Sequence, residues 1–198
     1  MLLYCHPLSG HSHRVRLFLS LINQRVELVE VDIRRGEQKK NEFLKMNRLG
    51  QVPVQSDGDV VLGDSNAILI YLAKKYRRAD WLPDAQVQRW LSIAAGELAY
   101  GMAAARRTRL FSAKPVPGDV TSRSYALLKV LDSELEIRDW LTGKLTLADI
   151  ALYAYVARAS EGGIDLTDYP YVQAWLRRIE SLPHFVPFFK TPPGLSAA

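Results

Sequence analysis

The sequence of 198 residues contains a single cysteine, Cys5, which excludes an internal disulfide framework and fits a reducing compartment. No apolar run reaches the roughly 18 residues that a membrane-spanning helix needs. The apolar stretch at the N-terminus is too short for the core of a secretory signal, and histidines and an arginine soon follow it. From these absences we expect a cytoplasmic protein with no membrane partner.

Several motifs that would carry other chemistry are also absent. The net charge of +5 is modest, and no zinc finger, basic zipper or aromatic–basic repeat accompanies it, so we expect no nucleic-acid partner. His11 and His13 stand two residues apart on a predicted helix and point to different sides, so we predict no metal site. Ser9 does not lie in a hydrolase nucleophile elbow, because Pro7 and His11 occupy the positions that require glycine.

The first 76 residues follow the periodicity of a small mixed α/β domain. Apolar residues at helical spacing lie between two apolar or β-branched runs, which predicts a βαβ unit with parallel strands. The dipeptide Asp57-Gly58 lies between two further strands and predicts a hairpin turn in which both central residues have positive φ. In order, the sequence predicts a strand at 1–5, a helix after Ser9 whose apolar face covers 15–22, a strand at 26–33, a short helix at 39–46, strands at 52–55 and 60–62, and a helix at 65–76. The order βαβαββα is the thioredoxin-like arrangement.

The second part of the chain, residues 84–198, shows no convincing strand and is predicted to be an all-α domain. Residues 77–83 interrupt the pattern and are predicted to link it to the first domain, residues 1–76. A seam of mostly small residues predicts a closely packed first helix, which ends at the proline-rich segment 114–118. Thr146 and Asp149 predict a capping box on a later helix, with Asp149 in place of the usual Glu or Gln. A final helix is predicted at 171–181.

Three segments of the first domain could carry chemistry, although each also has a purely structural explanation. Ser9 follows the first strand, where serine is a favoured helix N-cap. Val52-Pro53 begins a strand, and a cis bond there would turn the Val52 backbone outward to pair with an extended peptide. Ser65 could cap the next helix, with Asp64 favouring its positive end, or the two could bind a ligand carboxylate and ammonium group there. Together and in this order, they favour a site for a small peptide.

This ordered set resembles the glutathione-binding half of the cytosolic glutathione transferases, and the resemblance covers nearly the whole chain. The segment Ser9-Gly-His-Ser-His-Arg-Val-Arg-Leu is similar to the serine-bearing segment of the phi, theta and zeta classes. The segments Gly36-Glu37-Gln38-Lys39 and Asn47-Arg48-Leu49-Gly50-Gln51-Val52-Pro53 resemble the loops that follow it. Residues 145–151 match the capping motif of the family's helical domain.

The resemblance implies a role for each matching residue. Ser9 is the implied catalytic residue: it lies beside the glutathione sulfur and hydrogen-bonds the thiolate without becoming a nucleophile itself. The implied glutathione contacts are Lys39 at the glycine carboxylate, Val52 with Pro53 at the cysteinyl backbone, and Asp64 with Ser65 at the γ-glutamyl end. Glutathione is then a co-substrate, and no prosthetic group is implied.

The electrophile pocket is expected between residues 8–11 and the first helices of the second domain. Its candidate residues are Leu8, His11, Tyr100, Arg106 and Arg107. The two arginines could equally complement the dipole at a helix C-terminus. Family members that form mixed disulfides with glutathione carry a cysteine near position 9 or 10, whereas Cys5 stands earlier, in a predicted buried strand. We therefore expect transferase chemistry rather than thiol–disulfide exchange.

The function that the resemblance implies is a detoxifying glutathione transferase. It would conjugate the glutathione thiolate to small hydrophobic electrophiles or reduce organic peroxides, and family membership implies a homodimer. The alternative is a glutathione-binding or structural homologue that acts through protein–protein contacts, because a shared fold does not fix a function.

Overall fold

The computed structural model describes residues 1–76, 78–111 and 115–191, which divide into two compact units. The first unit comprises Met1–Leu82 and Pro183–Phe189, and the second comprises Pro83–Leu182 together with Lys190 and Thr191. Arg77, at the start of the predicted linker, and Lys114, at the start of the predicted helix break, lie outside the described residues. None of the described helices is long and apolar enough to span a membrane.

The first unit follows the predicted order βαβαββα. Its strands are β1 (Leu2–Cys5), β2 (Glu27–Glu30), β3 (Val54–Asp57) and β4 (Val60–Gly63). Its helices are α1 (Gly10–Leu21), α2 (Asn41–Met46) and α3 (Ser65–Lys75), with short 3-10 turns at Glu37–Lys39 and Ala79–Trp81. The prediction of a thioredoxin-like domain is confirmed. The second strand is shorter than predicted, because the Asp32 carboxylate accepts from the amides of Arg34 and Arg35 and turns the chain there.

The four strands form one mixed sheet in the order β2-β1-β3-β4. β1 and β2 are parallel, as the βαβ pattern predicts. β3 is antiparallel to both of its neighbours, and Tyr4 of β1 pairs with Val54 of β3. The loop that follows β1 and the loop that precedes β3 therefore lie at the same edge of the sheet.

The hairpin between β3 and β4 corrects one prediction. Asp57 is the last residue of β3 and pairs with Val60, so the central residues of the turn are Gly58 and Asp59. Of these two, only Gly58 has a positive φ, of 60°, as in a type II′ turn with glycine at its first central position. Asp57 stays in the strand, where its carboxylate accepts from the Tyr71 hydroxyl of α3 at 2.9 Å.

The side chains of the sheet alternate between two layers of helix. On one face, Val54 packs with Val31 and with Phe43 of α2 in a buried apolar cluster. By the two-residue period of a strand, Leu3 and Gln55 point to the opposite face, which is the side of α1 and α3, two helices that contact each other. The apolar face predicted for α1 is buried, as its pattern indicated.

Residues Pro183–Phe189 belong to the first unit although they follow the last helix of the chain. The buried His13 of α1 is hydrogen-bonded through Nε2 to the Val186 carbonyl at 2.8 Å, and its ring lies 4.9 Å from that of Phe188. The Ser20 hydroxyl donates to the His184 carbonyl at 2.7 Å. A distant segment of the chain thus covers one side of α1.

The described part of the second unit contains helices and no strand, which confirms the predicted all-α domain. The helices are α4 (Ala85–Ile93), α5 (Met102–Phe111), α6 (Gly118–Glu136), α7 (Leu147–Val156) and α8 (Pro170–Glu180). A π-helical turn, Ala94–Leu98, lies between α4 and α5, and a 3-10 turn, Ala159–Gly162, follows α7. Every residue of α7 is buried, and this helix contacts both α4 and α5. α7 is therefore the central helix of the unit.

The buried carboxylate of Asp149 fixes the start of α7. It accepts hydrogen bonds from the Thr146 amide at 2.9 Å, the Leu141 amide at 3.1 Å and the Trp175 indole at 2.9 Å. Burial raises the pKa of this carboxyl group, and these donors oppose the rise because they stabilise the carboxylate. The predicted capping box is present, and through Trp175 it also ties α8 to α7.

Gln55 yields a prediction about stability. Its side chain is 1% exposed, and neither its Oε1 nor its Nε2 atom meets a hydrogen-bond partner among the described residues. Because an unsatisfied buried amide costs about 1–3 kcal/mol, we expect Gln55→Leu to raise the free energy of unfolding by roughly that amount. Urea unfolding followed by tryptophan fluorescence measures the difference.

The matched control for this prediction is Gln88→Leu, the same exchange at an exposed position of α4. We expect it to change the free energy of unfolding by less than about 0.5 kcal/mol. A Gln55→Leu variant no more stable than the parent would contradict the prediction and would show that the amide is satisfied, for example by a buried water molecule.

Candidate functional site

Ser9 lies in a tight turn between β1 and α1. The Ser9 amide donates to the His6 carbonyl at 3.0 Å, which closes a four-residue turn with Pro7 at its second position, where proline is favoured. The Ser9 hydroxyl accepts from the Ser12 amide at 3.1 Å, so Ser9 is the N-cap of α1. This half-buried hydroxyl stands at the positive end of the helix dipole.

Asp64 and Ser65 stand at the N-terminus of α3. Asp64 is the N-cap, and its carboxylate accepts from the Ala67 amide at 2.9 Å. Of the two alternatives that the sequence left open for Ser65, capping is not observed, because Asp64 adopts a φ of 66° from which its own side chain reaches the Ala67 amide. Ser65 is instead the first helical residue and is 3% exposed, whereas Asp64 is exposed.

Arg14 joins the N-terminal ends of α1 and α3. Its side chain is 1% exposed, and its Nη1 atom donates to Ser65 Oγ at 2.9 Å and to Asn66 Oδ1 at 2.6 Å. His11, also on α1, is half-buried with its Nδ1 atom 3.4 Å from Ser65 Oγ. The positive ends of two helix dipoles therefore meet above a buried guanidinium, an arrangement that favours an anion.

The loop before β3 lies at the same edge of the sheet as the Ser9 turn. Its Val52-Pro53 peptide bond is cis, one of the two alternatives that the sequence left open. Asn47 shapes this loop: its side-chain Nδ2 atom donates to the Gln51 carbonyl at 2.9 Å, and its Oδ1 atom accepts from the Leu49 backbone amide at 3.1 Å. Val52 is half-buried at the end of this loop.

Lys39 lies against the same loop. Its exposed ammonium group donates to the Leu49 carbonyl at 3.1 Å. Gly50, which follows Leu49, has a φ of 58°, and a Cβ atom there would lie only 2.7 Å from the Gln38 carbonyl oxygen. Glycine at this position therefore lets the loop approach the 3-10 turn that carries Lys39.

The other predicted pocket residues lie in different settings. Leu8 is half-buried in the Ser9 turn of the first unit. In the second unit, Tyr100 is 66% exposed, and Arg107 is also exposed. Arg106 is buried, with its Nε atom 2.7 Å from the Glu161 carboxylate and its Nη2 atom donating to Thr191 Oγ1 at 3.3 Å. The Arg106 guanidinium thus forms a buried ion pair with Glu161.

Cys5 is buried at the end of β1, and burial raises the pKa of its thiol. A thiol held in its protonated form is a poor nucleophile. Within the part of the chain that the structure describes, no group of three or more His, Cys, Asp or Glu side chains is arranged to hold a metal ion.

Sequence reasoning missed Arg14 and Asn47, which both shape this site. A signal for Arg14 was present, because it stands four residues before Phe18 and eight before Ile22, in the stripe of α1 predicted to be buried. An arginine in an apolar stripe indicates a buried charge with specific partners. Asn47 gave no such signal, because its hydrogen bonds depend on the path of a loop without regular structure.

The two units together define a class of protein. The first is a thioredoxin-like domain with a cis-proline loop, a capping serine and two helix N-termini that favour an anion, all at one edge of its sheet. The second is an all-α domain. Residues 1–74 match the family model described as the glutathione S-transferase N-terminal domain. Residues 93–183 match the model described as the glutathione S-transferase C-terminal domain. The chain belongs to the superfamily of cytosolic glutathione transferases.

Known proteins similar to this chain carry related descriptions. A structure described as a possible glutathione S-transferase from Rhodopseudomonas palustris is 36% identical with a TM-score of 0.86, over 96% of this chain and 98% of that one. Glutathione S-transferase Z2 of Arabidopsis thaliana is 29% identical over 76% of this chain, and the match spans only 61% of that protein. The disulfide-bond oxidoreductase YfcG of Escherichia coli is 29% identical over 91% of this chain and 90% of its own length.

The capping bond of Ser9 predicts a difference between two variants. Because alanine cannot accept the hydrogen bond from the Ser12 amide, we expect Ser9→Ala to lower the free energy of unfolding by about 0.5–2 kcal/mol. Ser9→Gly should cost only a few tenths of a kcal/mol, since glycine is tolerated at N-caps. Urea unfolding of both variants checks the order, and equal losses would show that the cap contributes little.

Proposed function

We propose that the protein is a glutathione transferase in which the Ser9 hydroxyl stabilises the thiolate of bound glutathione. The single observation that carries this proposal is the convergence of the α1 and α3 N-termini above the buried Arg14, with the Ser9 hydroxyl at one of those N-termini. The thiolate would then attack a small hydrophobic electrophile or reduce an organic peroxide.

The capping role of Ser9 is compatible with this chemistry. A serine hydroxyl has one hydrogen to donate and two lone pairs that accept. The cap uses a lone pair to accept from the Ser12 amide, so the hydroxyl hydrogen can be donated to sulfur. A free thiol has a pKa of about 8.5, and lowering it by about two units requires roughly 2.7 kcal/mol. A hydrogen bond to the charged form and a helix N-terminus together supply energy of that order.

The other glutathione contacts follow from the charges around this edge of the sheet. The γ-glutamyl carboxylate would bind at the N-terminus of α3, beside Ser65 and above Arg14, where the dipole and the guanidinium both favour an anion. The exposed Asp64 would pair with the γ-glutamyl ammonium group, and Lys39 with the glycine carboxylate. The backbone of Val52 would pair with the cysteinyl residue as an added strand does.

The choice between transferase and thiol–disulfide chemistry rests on Cys5. One similar protein is described as a disulfide-bond oxidoreductase, so that chemistry is a real alternative. A cysteine that forms a mixed disulfide must be accessible and ionised. The Cys5 thiol is 5% exposed, and burial raises its pKa. We therefore favour conjugation or peroxide reduction by the glutathione thiolate itself.

The decisive prediction concerns Ser9→Ala. We expect kcat/KM for glutathione conjugation to fall roughly 10- to 100-fold, because the hydrogen bond to the thiolate, worth about 1.5–3 kcal/mol, is lost. The measurement is glutathione-dependent turnover of aryl halides, isothiocyanates, epoxides and cumene hydroperoxide, with calorimetric binding of glutathione to each protein.

The control for Ser9→Ala is Ser9→Gly, which also lacks the hydroxyl but should keep more of the stability. Equal losses of activity in the two variants, despite unequal stability, would assign the effect to the hydroxyl. Full activity in either variant would overturn the role of Ser9. Glutathione binding without turnover across the panel would instead favour a glutathione-binding homologue that acts through protein contacts.

Asp64→Asn tests the ammonium contact without disturbing the helix cap, because the asparagine amide oxygen can still accept from the Ala67 amide. We expect glutathione to bind roughly 2- to 5-fold more weakly, as for the loss of one exposed ion pair. The matched ligand is a glutathione analogue without the α-amino group, whose Kd should be the same for both proteins. An equal loss for both ligands would contradict a direct contact with the ammonium group.

A further inference from the structure

His6 organises the turn that carries Ser9. Its carbonyl accepts from the Ser9 amide at 3.0 Å, its ring Nδ1 atom accepts from the Leu8 amide at 3.1 Å, and its own amide donates to Ser12 Oγ at 3.3 Å. The side chain is 8% exposed. His6 therefore forms hydrogen bonds with Leu8, with Ser9 itself and with Ser12.

The bond to the Leu8 amide fixes the protonation state of the His6 ring. A backbone amide can only donate, so Nδ1 must be the unprotonated nitrogen and Nε2 must carry the hydrogen. The bond joins a side-chain acceptor to the amide two residues later, as in the turns that Asn and Asp form. Nδ1 stands at the same covalent position as the Oδ1 atom of an asparagine, which makes Asn the natural replacement.

We propose that His6 is a positioning residue for Ser9: its neutral imidazole accepts from the Leu8 amide and so holds the turn that aims the Ser9 hydroxyl at the glutathione sulfur. This inference rests on the proposed function, in which Ser9 stabilises the thiolate. Protonation would turn Nδ1 into a hydrogen-bond donor that faces the Leu8 amide, which is also a donor. The hydrogen bond between them would then be lost.

The charges around His6 come from β2 and the segment after it. Glu30 and Asp32 favour the protonated ring, Arg34 disfavours it, and Cys5 precedes it on β1. Burial is the largest influence and lowers the pKa of His6 below its ordinary value. The ring is then neutral at pH 7, and the stability it contributes is complete above about pH 6.5, its unfolded pKa. That contribution is lost as the pH falls through the lowered pKa of the folded state.

Three variants at position 6 separate the acceptor from the rest of the side chain. His6→Asn keeps an acceptor at the right distance and does not titrate. His6→Gln moves the acceptor one methylene further, and His6→Ala removes it. Hydrogen exchange of the Leu8 amide, followed by NMR in the protein without glutathione, reports on the bond directly. We expect exchange to be roughly 5- to 10-fold faster in the Ala and Gln variants and unchanged in the Asn variant.

The same exchange measurement has a pH arm that does not depend on glutathione. Below the His6 pKa, the parent protein should lose protection at the Leu8 amide relative to His6→Asn at the same pH. Unchanged protection of this amide in His6→Ala would overturn the proposal. If His6→Ala does not fold, His6→Asn and His6→Gln decide: equal protection in those two variants would also overturn it.

The catalytic consequence is read from the thiol of bound glutathione, titrated by ultraviolet absorbance. We expect His6→Ala to raise the pKa of this thiol and lower kcat about tenfold, with the Kd for the protonated form of glutathione changed less than twofold. His6→Asn should keep the thiol pKa and the kcat of the parent protein. An unchanged thiol pKa in His6→Ala would overturn the positioning role. A parent protein that binds glutathione without lowering the thiol pKa would overturn the proposed function. The hydrogen exchange of the Leu8 amide would still show whether His6 stabilises the turn.

Discussion

The buried guanidinium of Arg14 is the interaction on which the candidate site depends. It holds the first turns of α1 and α3 together through Ser65 and Asn66, although two positive dipole ends repel each other. Placing a cation beneath them adds to that repulsion, and the Asp64 carboxylate that caps α3 offsets part of it. Binding of a carboxylate there would therefore relieve an unfavourable interaction as well as form new hydrogen bonds.

Capping and ligand binding use the same residues in this domain. Ser9 and Asp64 each accept a hydrogen bond from a backbone amide of their own helix. Ser9 would still have its hydroxyl hydrogen to donate to the ligand, and Asp64 would still have its negative charge. The structural and functional explanations of these residues are therefore not alternatives. A helix N-terminus needs an acceptor in any protein, and a peptide ligand needs the groups that the cap leaves available.

Sequence periodicity predicted the order of elements, the parallel βαβ unit and the all-α second domain, because burial of one face per element is a local property. It failed where a local signal competed with contacts made elsewhere. The Asp57-Gly58 turn shifted by one residue because Asp57 stays paired in the ladder with Val60. His6 was missed because its role depends on partners across a turn. Arg14 stands in a stripe predicted to be buried, but its partners on another helix could not be read from the sequence. The attachment of residues 183–189 to the first unit carries no periodic pattern at all.

That attachment determines when the first domain can be complete. The segment that covers His13 and contacts it through Val186 and Phe188 follows the last helix of the second unit. During synthesis, one side of α1 therefore stays uncovered until the helices of the second unit have emerged. The chain passes between the two units three times, so an exchange of domains between relatives would need three crossover points rather than one.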